Sequence, residues 1–139
     1  MTGFDGIACV SIAVRSIEEA LPAYRDGLGL EVTHDVQTSP RGFDLRWVEL
    51  GSGGRTFLEL LEPTSEASPV HRFLERRGPG VYQVRFKVDD VGETLAGLAE
   101  RGVRTIEGAR AEGHADVGFV HPESTHGVLF EVMERRDVP

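Results

Sequence analysis

The sequence predicts an α+β fold: two βαβββ modules whose strands form a curved, cup-shaped mixed sheet with helices on its outer face. Three observations lead there. First, a pattern of strand, capped helix, glycine and strand occurs twice. Val10-Ser-Ile-Ala-Val14, Ser16-Ile-Glu-Glu19, a helical stretch and Gly29-Leu-Glu-Val32 are echoed by Val84-Arg-Phe-Lys-Val88, Asp90-Val-Gly-Glu93, a helical stretch and Gly102-Val-Arg-Thr105. Second, apolar residues alternate along the strands with period two, which gives each strand one greasy face. Third, 139 residues with 40% hydrophobic content suffice for one compact domain and are too few for two ordinary ones. The repeat therefore reads as two half-modules, about 5–63 and 80–135, within a single domain spanning 1–139.

Each element has its own signal. Ile7 to Val14 reads as the first strand, with Val10, Ile12 and Val14 on one side and Cys9, Ser11 and Ala13 on the other. Ser16 and Glu19 have capping-box spacing, and Ile17, Ala20, Leu21 and Tyr24 recur at helical period until Gly27 and Gly29 end the helix. Leu30 to Val36 follows as a strand. After a turn at Pro40-Arg-Gly42 come Phe43 to Leu50 and Thr56 to Leu61, joined through Gly51-Ser-Gly-Gly54. That glycine run lacks the lysine and the strand-to-helix context of a phosphate loop, so it is a hairpin turn. Ser68 and Pro69 suit the N-cap and first position of a connecting helix, about 69–77, closed by Gly78-Pro79-Gly80. The second module runs Val81 to Val88, helix Val91 to Arg101, Val103 to Ile106, Asp116 to His121 and Gly127 to Glu134. Asp90 and Glu93 repeat the cap spacing.

Composition narrows the partners. A net charge of −8 and pI near 5.1 argue against a nucleic-acid backbone or an anionic membrane. No uninterrupted apolar run approaches the roughly 20 residues of a membrane span. One cysteine excludes an intramolecular disulfide, and the start lacks a basic region followed by an apolar run. A cytoplasmic location is the expectation.

Period two also gives the repeat chemical content. If Val10/Ile12/Val14 and Val84/Phe86/Val88 pack beneath helices, the other face carries Cys9, Ser11, Ala13, Gln83, Arg85 and Lys87. Leu58/Leu60 and Phe130/Val132 turn toward the helices in the same way, so Glu59 and Glu131 join that second face. Cys9 pairs with Gln83 in the repeat, and Glu59 with Glu131. A helix-covered sheet whose other side bears carboxylates, an amide, a thiol and cations is most simply a cup around a ligand. Trp47, with Phe43 and Leu45, alternates onto the same side as a hydrophobic wall, and Phe119 reads as the repeat partner of Trp47. Core packing is the competing role for these aromatics.

These landmarks resemble the vicinal oxygen chelate superfamily, the glyoxalase and bleomycin-resistance group, and especially its methylmalonyl-CoA epimerase branch. The similar segments are Ser11-Ile-Ala-Val14, Tyr24-Arg-Asp-Gly-Leu-Gly-Leu30, Leu58-Glu-Leu-Leu-Glu-Pro63, Ser68-Pro-Val70, Arg101-Gly-Val103, Phe119-Val-His-Pro122 and Gly127-Val-Leu-Phe-Glu131. They cover nearly the whole chain. The resemblance implies a divalent metal held by two histidines, a Gln or Glu, and a final Glu. Here Glu59 and Glu131 keep the carboxylate-type positions, Cys9 and Gln83 replace the two histidines, and Leu45 stands where the epimerases carry a further acid/base glutamate.

A thiolate, two carboxylates and an amide mix soft and hard donors without an imidazole, so no metal is the preferred reading. A divalent ion (Zn, Co, Ni or Mn) would have to be held by Cys9, Glu59, Gln83 and Glu131. Arg85, two residues after Gln83 on the same face, can neutralise Glu59 and Glu131 in the way a cation does elsewhere. Lys87 reaches solvent at the rim. The five histidines, His34, His71, His114, His121 and His126, lack the spacing of a ligand cluster. His121 belongs to the Phe119-Val-His-Pro122 turn, where capping or packing is preferred to an acid/base role. His114 sits in a loop near the predicted cup mouth, as a substrate contact or an ordinary loop residue. Cys9 has no histidine beside it in sequence and reads as cup lining.

Two functions follow. One is an epimerase-like enzyme, of isomerase, lyase or cyclase outcome, that moves a proton α to the carbonyl of an acyl thioester such as an acyl-CoA, or of a small polar carbonyl compound. Glu59 and Glu131 would act as acid and base, and Arg85 and Gln83 would stabilise the enolate. The alternative is a metal-free small-molecule or antibiotic-binding resistance protein of the same fold. A homodimer is the expected assembly. Fold alone does not choose between them.

Overall fold

The computed structural model describes residues 3–39, 44–108 and 117–135. The Pro40–Gly42 turn, Phe43, His114 and the expected strand start at Asp116 lie outside the described residues. Two compact units emerge, one built from Cys9–Tyr82 and the other from the chain on either side of it.

The first unit contains β1 (Phe4–Ala13, from Cys9 onward), α1 (Ile17–Pro22), a π-helical turn (Ala23–Gly27), β2 (Glu31–Thr38), β3 (Leu45–Ser52), β4 (Arg55–Pro63) and α2 (Pro69–Arg77). Its strands lie in the order β2-β3-β4-β1, with β1 parallel to β4 and the other pairs antiparallel. The Ser16 hydroxyl accepts the Glu19 N–H at 3.2 Å and so starts α1. Pro22 has no N–H to donate, and the chain continues with wider spacing, the Leu28 N–H reaching the Ala23 carbonyl at 3.0 Å. Gly51 must be glycine: a Cβ there would stand 1.7 Å from the Arg55 carbonyl oxygen across the tight hairpin.

Hydrophobic burial fastens α1 to this sheet. Val14, Ile17, Val48, Leu50 and Leu60 are buried together, with Ile12, Leu21 and Tyr24 packed around them. Each fully buried aliphatic side chain contributes about 1.5–3 kcal/mol. Arg46 adds an electrostatic fastening, donating to Glu62 at 2.8 Å and to Glu18 on α1 at 2.9 Å. The other oxygen of Glu62 accepts the Ile17 N–H at 2.8 Å. Hydrogen bonding from Arg46 holds the Glu18 carboxyl below its ordinary pKa.

The opposite face of this sheet is partly covered. The Ser68 hydroxyl accepts the Val70 N–H, Pro69 opens the helix, and α2 lays Val70 and Leu74 on Ala13 and Leu61. Leu45, Trp47, Phe73 and Tyr82 pack around that cluster.

The second unit contains β5 (Gly80–Val88, from Gln83 onward), α3 (Val91–Glu100), β6 (Thr105–Glu107), β7 (Val117–Val120), a 3-10 turn (Pro122–Thr125) and β8 (Leu129–Glu134). Its strand order is β5-β8-β7-β6, with β5 and β8 parallel. The Asp90 carboxylate caps α3 by accepting the Glu93 N–H at 2.7 Å. Val91 and Leu95 of that helix pack on Val88, Val132 and Phe86. Gly118 lets them come close, because a Cβ there would lie 2.6 Å from Leu95 Cδ1. Phe86 stacks on Phe130 at 5.0 Å, and Phe4, in the first residues of β1, joins it at 4.7 Å. The His121 ring caps the 3-10 turn, its Nδ1 accepting the Glu123 N–H at 3.0 Å.

The two modules repeat in register as well as in order, for Ser11 faces Glu59 and Arg85 faces Glu131 across matching parallel pairs. Among the described residues, no helix is long and apolar enough to cross a membrane.

Candidate functional site

In each module one row of side chains crosses the sheet on the face away from α1 or α3, one residue per strand. The first row is Ser11 on β1, Glu59 on β4, Glu49 on β3 and His34 on β2, each the register partner of the next. The second row is Arg85 on β5, Glu131 on β8, Phe119 on β7 and Ile106 on β6.

The first row is polar from end to end. Ser11 is fully buried and its hydroxyl donates to Glu59 Oε1 at 2.5 Å; Glu59 is itself 5% exposed. A buried carboxylate needs such donors to offset its lost hydration. Glu49 collects three further polar groups: His34 Nδ1 lies 3.4 Å from Oε1, and Trp47 Nε1 and Gln37 Nε2 reach Oε2 at 3.4 and 3.5 Å. Its side chain is 13% exposed, whereas that of His34 is 51% exposed.

The second row is held by charge. Arg85 Nε donates to Glu131 Oε1 in a partly buried ion pair, and Gln83 Nε2 donates to Oε2 at 3.4 Å. A guanidinium on a buried carboxylate offsets much of the desolvation cost of both. The row then turns apolar at Phe119 and Ile106.

Within the second unit the structure thus brings Gln83, Arg85, Glu131 and Phe119 together. Within the first, Cys9 is buried on the same face as Ser11 and Glu59, while Leu45 and Trp47 lie in the cluster under α2. His114 is outside the described residues. Phe119 faces Glu131 as Glu49 faces Glu59, so its counterpart in the first module is Glu49 and not Trp47. The cause is the β7–β8 connection, two residues longer between matching register pairs than the β3–β4 hairpin. Glu49 and His34 share this row with Glu59, a placement that the sequence reading does not contain. For Glu49 the signal was present, since it alternates onto the same face as Leu45 and Trp47.

At Glu131 the surroundings are unfavourable to a divalent metal. Both oxygens of Glu131 are engaged by N–H donors, and a metal there would have to displace the Arg85 guanidinium. Among the described residues, no three His, Cys, Asp or Glu side chains are grouped to hold an ion.

Comparison with known proteins supplies the kinship. Residues 10–120 match the model of the Glyoxalase/Bleomycin resistance protein/Dioxygenase superfamily. The chain is 33% identical to the Bacillus subtilis protein YqjC, itself uncharacterised, over 90% of this chain and 89% of the relative. It is 32% identical to the mitochondrial methylmalonyl-CoA epimerase of Mus musculus, over 90% of this chain and 70% of the relative. A solved structure of a Streptomyces coelicolor methylmalonyl-CoA epimerase variant in complex with 2-nitronate-propionyl-CoA superposes with a TM-score of 0.83 at 31% identity, covering 95% of this chain and 98% of that one. By fold, sequence and extent of match, the chain belongs to the Glyoxalase/Bleomycin resistance protein/Dioxygenase superfamily.

Proposed function

We propose that this protein is an enzyme of the epimerase type, moving a proton on the carbon α to the carbonyl of an acyl-CoA or related acyl thioester. The observation that carries the reading is the pair of buried glutamates at matching register positions, Glu59 under Ser11 and Glu131 under Arg85 and Gln83. Kinship with methylmalonyl-CoA epimerases supports the thioester class. Leu45, in place of the further glutamate of those epimerases, argues for an acyl group other than methylmalonyl.

One glutamate takes the α proton, the C–H electron pair moves into the enolate, and the other glutamate returns a proton to the α carbon. The N–H groups of Arg85 and Gln83 stabilise the enolate oxygen, which would be prohibitively costly to bury without donors. Isomerase, lyase and cyclase outcomes share this step.

The test is solvent deuterium incorporation into a panel of acyl-CoA thioesters, read by mass spectrometry. The wild-type protein is expected to label the α carbon of at least one of them, and Glu59→Gln and Glu131→Gln each to slow labelling by about 10²-fold or more. Replacement of both metal histidines by Cys9 and Gln83 favours a second reading, sequestration of a small molecule without chemistry. Tight binding untouched by either glutamate variant, with no labelling, would decide for it.

A further inference from the structure

Like charges directly opposite one another on a sheet are destabilising, so stability alone gives no reason to place Glu49 against Glu59. Facing residues in an antiparallel pair stand about 4.5–5.5 Å apart at Cβ, so the register sets Glu49 and Glu59 side by side on one face of the sheet. The equivalent position in the second module carries Phe119, so the scaffold does not demand a carboxylate there. Exposure also rises along the row, from buried Ser11 and Glu59 through Glu49 to the half-exposed imidazole of His34 at the outer strand β2.

We infer that Glu49 and His34 form a proton relay that exchanges the proton taken up by Glu59 with solvent. The inference rests on the reading of Glu59 as an acid/base residue. The substrate Cα–H bond breaks with its electron pair going to the enolate and its proton to Glu59. Glu59 passes that proton to the Glu49 carboxylate, and Glu49 passes it to Nδ1 of neutral His34. Nε2 of the ring then releases its own proton to water, and the reverse sequence reloads Glu59. No redox partner or cofactor is needed. Trp47 and Gln37, donating to Glu49 Oε2, hold the carboxylate in place while Oε1 faces the ring. Glu49 and His34 act through Glu59, so they are positioning and relay residues and do not themselves touch substrate.

The experiment follows the fate of the abstracted label. An acyl-CoA carrying deuterium at the α carbon is incubated in ordinary water to partial turnover, and the fraction of recovered substrate that keeps the label, returned from Glu59 before exchange, is measured for the wild type, Glu49→Gln, Glu49→Asp and His34→Ala. A relay predicts nearly complete washout by the wild type and about tenfold or greater label retention in Glu49→Gln and His34→Ala. Glu49→Asp should retain partial washout, and added imidazole should restore washout in His34→Ala. A merely structural role for these residues would lower turnover without changing how the label partitions. Washout unchanged in the variants overturns the relay while leaving the acid/base reading of Glu59 intact. Absence of any α exchange by the wild type overturns both.

Discussion

The two modules place their rows at equivalent register positions and fill them with opposite chemistry. Ser11–Glu59–Glu49–His34 joins a buried carboxylate to hydrogen-bonding groups out to the exposed strand. Arg85–Glu131–Phe119–Ile106 locks its carboxylate in an ion pair and then closes with apolar side chains. One backbone pattern, used twice, thus carries a hydrogen-bonded polar side and a fixed-charge side, where Arg85 pairs with Glu131. The opposite face differs as well, since Val48 fills the layer beneath α1 where Gly118 leaves that space to Leu95 of α3.

The largest effect should come from the fixed-charge side. Arg85→Met leaves Glu131 buried without its guanidinium and is expected to cost about 3–5 kcal/mol of stability in urea unfolding. Removing both charges, as Arg85→Met with Glu131→Leu, should recover most of that loss while leaving the protein inactive. Ser11→Ala, the equivalent change in the first module, deletes one hydrogen bond to a carboxylate and should cost less, about 1.5–3 kcal/mol. Equal costs for Arg85→Met and Ser11→Ala would break the comparison.

The smallest effect concerns the fastening of α1. Because Arg46 lowers the pKa of Glu18 in the folded state, their pairing is fully present above the ordinary carboxylate value. It is lost as pH falls through the lowered folded value. Arg46→Gln should therefore flatten part of the acid limb of the stability curve, measured by denaturation from neutral to acidic pH. An unchanged acid limb would show that burial of Ile17, Val48 and Leu60 alone holds the helix.

Local signals in the sequence were strong enough to give the elements. Ser16 with Glu19 and Asp90 with Glu93 announced both main helices, and both caps form. Period two in Val10–Val14 and Val84–Val88 placed Glu59 and Glu131 correctly on the face away from those helices, because β1–β4 and β5–β8 pair without irregularity. The register of the outer strands was not legible. β2 shifts its pairing between Val32 and His34 and again before Gln37, so no simple alternation predicts that His34 meets Glu49. The place of α2 was also hidden. Its apolar positions, Val70 and Leu74, show that it packs, but a helical stripe does not say which sheet face it covers.

The most direct test of the account is a crystal structure with a stable acyl thioester analogue of the enolate. The account predicts that the analogue's α carbon lies within about 3–3.5 Å of the carboxylates of both Glu59 and Glu131, with its enolate-like oxygen accepting from Arg85 or Gln83. An analogue bound away from either glutamate, with the Arg85–Glu131 pair facing no ligand atom, would contradict it.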